Sequence, residues 1–261
     1  MATTTAPLAL RSFEYWLFQY RRTWRGSVIS TILFPVLFLA SMGLGLGTLV
    51  DSSTSGGVEG HSYLVFLAPG LLAATAMQTA VGESTYPVMG AIKWIKTYHA
   101  MLATPLGVLD VLVGHLLYIG LRVLFGSAIF LAVMTAFGAV DSPLALLTLP
   151  AALLTGLAFA TPVVAYSAVL ENDYGFAVLM RFIVVPLFLF GGVFYPVTQL
   201  PLVLEQLAYL TPLWHGVALS RELALGTATV GSVLVHVAYL TVWIVVGFAF
   251  AVRNYQRRLA V

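Results

Sequence analysis

Charged and polar residues inside apolar stretches are the first indication of chemistry in this sequence. His115 and Arg122 lie within an apolar run at 109–137, and Glu83 follows the preceding run. A charge deep in a membrane-spanning helix is costly and is usually paired or exposed to a water-filled path. His115 precedes Arg122 by two helical turns, on the same face. Two alternatives follow for these residues: a structural ion pair between Arg122 and Glu83, or the polar lining of a transport path.

Motifs for catalysis, nucleotide binding or metal binding are absent from the sequence. It contains no G-x-x-x-x-G-K-[ST] phosphate loop and no H-E-x-x-H, C-x-x-C or G-x-S-x-G motif, and it has no cysteine. The histidines fall in different segments and on both predicted sides, which argues against a shared metal site; they are His61, His99, His115, His215 and His236. We therefore expect a non-catalytic chain with no metal and no cofactor of its own.

The composition indicates an integral membrane protein. Of the 261 residues, 60% are hydrophobic and only 8% are charged, whereas soluble domains carry roughly 25% charged residues. A membrane-spanning helix takes about 20 residues, so six spans and their connections fill the chain. The net charge of +2 is then a matter of orientation in the membrane and not of nucleic-acid binding.

Hydrophobic periodicity predicts a single all-α membrane domain over 1–261. Its predicted parts are an N-terminal interfacial amphipathic helix (8–25), six transmembrane helices (27–49, 62–82, 109–137, 144–170, 174–194 and 230–252), a cytoplasmic segment with a surface helix (84–105), two short re-entrant helices on the extracellular side (196–226) and a cytoplasmic tail (253–261).

The interfacial helix is predicted from its aromatic spacing. Phe13, Trp16, Leu17, Tyr20 and Trp24 recur at intervals of three and four residues, and the basic residues lie largely on the other face. This pattern favours a helix with its aromatic face in lipid and its arginines toward phosphate, over a plain basic flank.

The segment at 84–105 is less apolar than its neighbours and carries Lys93, Lys96 and His99. We expect a helix that lies along a surface, with the lysines outside and residues such as Ile92, Ile95 and Met101 inside. The alternative is an ordinary basic cytoplasmic loop.

The stretch from Pro186 to Gly226 begins as an apolar span and then breaks at a glycine pair. Pro201 suits the first turn of one short helix, Pro212 separates the two helices, and Gly226 can stop the second. Helical spacing places Leu204, Leu207 and Ala208 on the side that packs inward. Broken helices at a membrane boundary usually line or close a cavity, so the pair is expected to form an external lid.

Lysine and arginine counts orient the chain. With an even number of spans both termini share a side, and the basic N-terminal flank, Lys93, Lys96 and the arginines of the tail fall together. The opposite side has acidic residues and one strong base, Arg221. The positive-inside rule therefore predicts a multi-pass protein of the plasma (inner) membrane with both termini in the cytoplasm.

Several motifs carry a resemblance to ABC type-2 transporter permeases. The C-terminal signature of that family is similar to GGVFYP at 191–196, LP at 200–201 and LTPL at 210–213, with signature residues Gly191, Gly192, Tyr195, Pro196, Pro201 and Pro212. YLVFLAPG at 63–70 and YHAMLATPL at 98–106 resemble the lipooligosaccharide (nodulation-type) and daunorubicin-resistance-type branch. The chain departs from the common pattern at Gly191, where a serine is frequent, and at His215, where a tyrosine often sits.

The resemblance implies a half-transporter. Its partners would be a second permease subunit, identical or homologous, and ABC ATPase (nucleotide-binding) subunits that hold ATP and Mg. The segment at 84–105 resembles the coupling helix of the family, which assigns ATPase coupling to Lys93, Trp94, Lys96 and His99. The implied function is export of an amphipathic or hydrophobic cargo, such as a lipooligosaccharide, a glycolipid or a drug. The alternatives are a proton-coupled secondary transporter, which usually has a deep carboxylate, and a non-transporting membrane scaffold.

Overall fold

The computed structural model of the protein describes residues 8–53 and 57–259, which form helices joined by short turns. The α-helices, in chain order, are α1 (Leu8–Phe38), α2 (Gly47–Ser53), α3 (Tyr63–Ser84), α4 (Tyr86–Met89), α5 (Thr97–Leu102), α6 (Val108–Ala136), α7 (Thr148–Val169), α8 (Tyr174–Leu179), α9 (Val185–Phe190), α10 (Leu202–Tyr209), α11 (Pro212–Leu225) and α12 (Val230–Leu259). Wider π-helical turns lie at Leu39–Leu46, Gly90–Trp94 and Met180–Val184, and 3-10 turns at Pro143–Leu147 and Val197–Gln199.

Five helical stretches in the described ranges are long and apolar enough to cross a membrane: Thr31–Ser53, Tyr63–Trp94, Val108–Ala136, Pro143–Val169 and Val230–Leu259. The span predicted at 174–194 corresponds to a shorter apolar helix, Tyr174–Phe190, formed by α8, a π-helical turn and α9. The described part of the protein is thus all-helical, with five membrane-length helices and a sixth that is shorter than predicted because it ends at the glycine pair.

Helices α3 and α7 form the centre of the bundle. Helix α3 packs on α6, α7 and α11, and α7 packs on α12 as well. Most side chains of α3 are buried, among them Phe66, Leu71 and Met77. The helix Tyr174–Phe190 lies at the periphery, and an apolar cavity of about 490 Å³ separates part of it from α7. The bundle is therefore tightly packed around α3 and α7 and loosely packed beside α8 and α9.

The N-terminal helix differs from the predicted one in two respects. It is continuous with the first span, because α1 runs without a break from Leu8 to Phe38. Part of its aromatic face also packs on protein: α1 lies along α6, and Trp16 is buried, while Trp24 stays exposed. An apolar stripe that faces a neighbouring helix has the same sequence pattern as one that faces lipid.

The tail predicted at 253–261 is helical as far as the structure describes it. Helix α12 continues to Leu259, and Tyr255 and Leu259 are buried in the main core. Tyr255 lies close to Tyr98, with 5.6 Å between ring centroids, and Tyr98 lies 6.3 Å from Trp16. The beginning of α1 and the end of α12 therefore share one end of the bundle.

Candidate functional site

The coupling segment (84–105) folds into two helical pieces and not into one surface helix. The chain breaks from α3 at Thr85, runs through α4 and a π-helical turn to Trp94, and then reverses at Lys96, whose φ of 58° is left-handed. Residues 88–92 are buried, and the exposed corner consists of residues 94–96, 99 and 100. Ile95 was expected inside, but 72% of its surface is exposed, because the reversal at Lys96 places it at the tip of the corner.

Of the four predicted coupling residues, three lie at the exposed corner and one faces inward. Trp94, Lys96 and His99 are exposed. Lys93 instead reaches the turn between α7 and α8, where its Nζ lies 2.8 Å from the carboxylate of Glu171 and also donates to the carbonyl oxygen of that residue. The opposite side of the same carboxylate accepts a hydrogen bond from Arg258 at 2.8 Å. Glu171 therefore connects the coupling segment to the end of α12, and we call this side of the bundle the Glu171 end.

The Glu171 carboxylate stays ionised far into the acidic range. Hydrogen bonds from Lys93 and Arg258 lower its pKa from 4.5 to about 2. Because the folded-state pKa is the lower one, the contribution of this carboxylate to stability is present above pH 4.5 and is lost as the pH falls toward 2.

We expect Glu171→Gln to loosen the coupling segment without unfolding the protein. The carboxylate is exposed, so its ion pairs contribute little to global stability, but the substitution removes the charge shared by Lys93 and Arg258. Amide hydrogen exchange should accelerate over residues 90–102 at pH 7 while the exchange of α3 and α7 is unchanged. Unaltered exchange over 90–102 would show that Glu171 does not hold the segment.

His115 lies in a buried aromatic cluster at the same end. Its ring stacks on Trp16 with 4.0 Å between centroids, and its Nδ1 is hydrogen-bonded to the Tyr98 hydroxyl. Tyr118 and Tyr255 complete the cluster. His115 thus contacts residues of α1, α5 and α6.

Arg122 and Glu83 form the ion pair that the sequence suggested. Arg122 Nε lies 3.2 Å from Glu83 Oε1, and about four-fifths of each side chain is removed from solvent. The guanidinium also lies over the Tyr20 ring, 4.5 Å from its centroid. The pair therefore joins α3 and α6 beneath α1, and it is distinct from the aromatic cluster around His115.

The signature residues build a tight turn at the other end of the bundle. Helix α9 ends at Phe190, and the chain then turns through Gly191 and Gly192. A Cβ at Gly191 would meet the Leu187 carbonyl oxygen at 2.5 Å, and Gly192 has a φ of +79°, so a side chain at either position would strain the turn. Tyr195 is half-buried, and Pro196 is buried where the chain leaves the turn.

Arg221 anchors this turn and was not singled out from the sequence. It lies on α11 and is half-buried. Its Nε donates to the Phe66 carbonyl oxygen at 3.1 Å, and its Nη2 donates to that of Gly192 at 2.8 Å. Its guanidinium stacks over the Phe66 ring at 3.8 Å. The one sequence feature that could have drawn attention to Arg221 is that it is a lone base among acidic residues. We call this side of the bundle the Arg221 end.

The two short helices differ in burial. Thr211 caps α11 by accepting a hydrogen bond from the Trp214 amide at 3.3 Å. Pro212 occupies the first turn of the helix, and Gly226 ends it with a left-handed φ of 74°. Helix α11 packs between α3, α7 and α12, so it is a buried element of the bundle.

Helix α10 is largely exposed, unlike α11. Pro201 caps α10 from the preceding position and does not enter its first turn. Ala208 is buried as predicted, but Leu204 and Leu207 are 37% and 53% exposed, because α10 packs only lightly on α9, α11 and the preceding 3-10 turn.

Two histidines that looked unrelated in the sequence meet at the Arg221 end. The Nδ1 atoms of His215 on α11 and His236 on α12 lie 2.8 Å apart, and His236 Nε2 lies 3.7 Å from the Glu222 carboxylate. Within residues 8–53 and 57–259, no group of three or more histidine, cysteine, aspartate or glutamate side chains is arranged to hold a metal ion.

Comparison with known proteins gives matches over most of the chain. The family described as ABC-2 type transporter matches residues 11–225. Nodulation protein J of Rhizobium leguminosarum bv. viciae is 33% identical over 253 residues, which cover 94% of this chain and 95% of that protein. Nodulation protein J of Sinorhizobium fredii (strain NBRC 101917 / NGR234) is 32% identical over 94% of both chains. The inner membrane transport permease YadH of Escherichia coli (strain K12) is 24% identical over 86% of this chain and 89% of its own.

Proposed function

The chain belongs to the ABC-2 type transporter family, and we propose that it is the membrane-spanning permease subunit of an ATP-driven exporter. The family match over residues 11–225 carries this proposal. The chain would dimerise with a second permease subunit and bind separate ATPase subunits, which would hold ATP and Mg. It would lie in the inner membrane with the Glu171 end and both termini in the cytoplasm, in agreement with the positive-inside rule.

The Glu171 end is the proposed contact with the ATPase. The exposed corner presents Trp94, Lys96 and His99 to solvent, whereas the buried flanks of the coupling segment pack on the core. Lys93 and Glu171 link that corner to α12. A displacement of the corner by the ATPase would therefore be transmitted to α3 through the short connection at Thr85. It would also be transmitted to α12 through the Glu171 carboxylate, which Lys93 and Arg258 share.

The Arg221 end is proposed to close the exit of the pathway. Helix α10 is exposed and adjoins α9 across an apolar cavity of about 220 Å³, and α9 belongs to the loosely packed helix Tyr174–Phe190. A short helix with few protein neighbours can move at small cost in free energy.

The cargo would be amphipathic or hydrophobic, and the nodulation-type resemblance favours a lipooligosaccharide or glycolipid over a drug.

The direct test is reconstitution. The chain would be co-expressed with a candidate ATPase, purified as a complex and placed in proteoliposomes, and ATP-dependent movement of glycolipids and hydrophobic antibiotics would be measured. Nucleotide-dependent movement of any of these cargoes supports the exporter. Movement driven by a proton gradient without ATPase would favour a secondary transporter, and a stable chain that recruits no ATPase and moves nothing would favour a scaffold.

We expect a crosslink between α10 and its neighbour to stop export if α10 gates the exit. The chain has no cysteine, so cysteines at Ile183 and Leu207, which line the same cavity, could be joined selectively by a short bis-maleimide. Export should fall at least about tenfold on crosslinking and recover when a cleavable linker is cut. Each single-cysteine variant with the same reagent is the control. Full export by the crosslinked protein would show that α10 is a fixed cap.

A further inference from the structure

Two cavities flank the Glu83–Arg122 ion pair in the groove between α1, α3 and α6. The larger cavity has a volume of about 400 Å³ and extends along α1 as far as Pro35. The smaller has a volume of about 220 Å³ and lies toward the Glu171 end, beside Trp16. Both are lined by Glu83, Pro87 and Arg122. The ion pair is therefore the partition between two halves of one groove.

Buried polar atoms without partners line this groove. Ser127 is 2% exposed, lines the larger cavity, and its Oγ has no hydrogen-bond partner among the described residues. Trp16 Nε1 and the Tyr20 hydroxyl are equally buried and unpartnered, and both residues line the smaller cavity. Buried polar groups are nearly always hydrogen-bonded, so three such atoms along one groove indicate a polar occupant.

The side chains of the groove are suited to hydroxyl groups. Thr75, Gln78 and Thr79 add donors and acceptors to the larger cavity, and a hydroxyl group can use both because it donates one hydrogen bond and accepts others. Trp16, Tyr20 and Tyr118 place aromatic rings around the smaller cavity, which suits the apolar C–H faces of a polyhydroxylated ring. The larger volume lies in the usual range for ligand cavities, about 300–1,000 Å³.

The ion pair selects for a neutral headgroup. The charges of Glu83 and Arg122 cancel at 3.2 Å, so an anionic or zwitterionic headgroup would lose its hydration in this groove and could gain full charge compensation only by competing with the pair. Breaking a mostly buried pair leaves an uncompensated charge and is costly. A neutral polyol can donate to Glu83 and accept from Arg122 while the pair remains closed.

We infer that the groove between α1, α3 and α6 binds the neutral, hydroxyl-rich headgroup of an amphipathic molecule across the Glu83–Arg122 pair. The alkyl part of that molecule would leave the groove toward the lipid beside α1, where Phe34 and Leu37 are exposed. That this molecule is the cargo rests on the proposed export function, whereas binding itself does not depend on an ATPase.

The test compares three probes with the same ten-carbon tail. Decyl β-maltoside, decylphosphocholine and hexaethylene glycol monodecyl ether would be titrated below their micellar concentrations into the protein in phosphatidylglycerol nanodiscs. The signal is the part of the tryptophan fluorescence change that is lost in Trp16→Phe. Decyl β-maltoside should bind at least about tenfold more tightly than either of the others. Equal binding of the ether would mean that the tail alone drives association, and tighter binding of decylphosphocholine would point to an ionic site; either result overturns the inference.

Two variants locate the site. Ser127→Ala should weaken decyl β-maltoside binding about three- to tenfold, the effect of one lost hydrogen bond. Ser220→Ala is the matched control, because Ser220 Oγ is also buried and unpartnered but lies on α11, away from the groove. Equal affinities for the two variants would overturn the assignment. The titration contains no ATPase, so the two proposals can fail separately. If the complex exports cargo but decyl β-maltoside does not bind, the binding site in the groove is refuted and the export function stands. If decyl β-maltoside binds but the chain recruits no ATPase, the export function is refuted and the binding site stands.

Discussion

Replacing Arg221 with methionine is expected to destabilise the protein by about 2–4 kcal/mol and to lower its melting temperature by about 10 °C. Methionine fills much of the same volume but donates no hydrogen bond, so the carbonyl oxygens of Phe66 and Gly192 lose the donor that now holds them at 3.1 and 2.8 Å. The Gly192 carbonyl oxygen, which lies in a buried turn outside any helix, would lose this donor, and the turn after α9 would lose its attachment to α3 and α11.

The measurement is thermal unfolding of the detergent-solubilised protein, followed by the fraction that remains monodisperse after heating. Arg221→Lys should recover only part of the stability, since an ammonium group cannot reproduce the forked geometry of the guanidinium. Arg181→Met is the control because Arg181 is exposed on the peripheral helix. If Arg221→Met has the same melting temperature as the wild type, the contacts of Arg221 with Phe66 and Gly192 do not hold the Arg221 end together.

The second large effect is expected at the exposed corner of the coupling segment. The double variant Lys96→Glu and His99→Glu should reduce the amount of ATPase that co-purifies with the permease at least about tenfold, which corresponds to about 1.4 kcal/mol of binding free energy. Both residues are exposed, and neither takes part in the Lys93–Glu171 pair. The variant therefore changes the presented charge while the segment keeps its internal link.

Two added carboxylates at the opposite end provide the control. Thr198 and Gln199 are exposed in the 3-10 turn after Pro196, so Thr198→Glu with Gln199→Glu should leave ATPase recovery unchanged. Unchanged recovery with Lys96→Glu and His99→Glu, in protein that elutes as the wild type does, would remove the corner from the proposed interface.

Local patterns predicted the elements of this fold well. Apolar runs located the spans, and the proline and glycine positions located the start and end of α11 at Pro212 and Gly226. The ion pair between Arg122 and Glu83 could also be inferred, because a charge inside a span needs a nearby opposite charge. These inferences depend on the local conformational limits of proline and glycine, or on the large free-energy cost of an unpaired charge inside a span.

Features that depend on long-range packing could not be predicted. The aromatic face of α1 could have met lipid or protein, and only the position of α6 decides that Trp16 is buried. The left-handed backbone at Lys96 has no signal in the sequence, since lysine rarely adopts it. The contacts of Arg221 could not be predicted, because its hydrogen-bond partners are backbone carbonyl oxygens. Every residue carries such an oxygen, so no sequence pattern distinguishes these two.

The contact between Tyr98 and Tyr255 has a consequence for biosynthesis. The two residues lie 157 positions apart, and a ribosome that adds about 5–20 residues per second needs about 8–30 s to synthesise the intervening chain. Arg258, which donates a hydrogen bond to Glu171, is made later still. During that interval the first three spans can already occupy the membrane, but the segment that would receive the ATPase lacks its final support. A nascent chain would therefore present the proposed docking corner in its finished form only after the last helix is in place, which would delay the proposed recruitment of the ATPase until the bundle is complete.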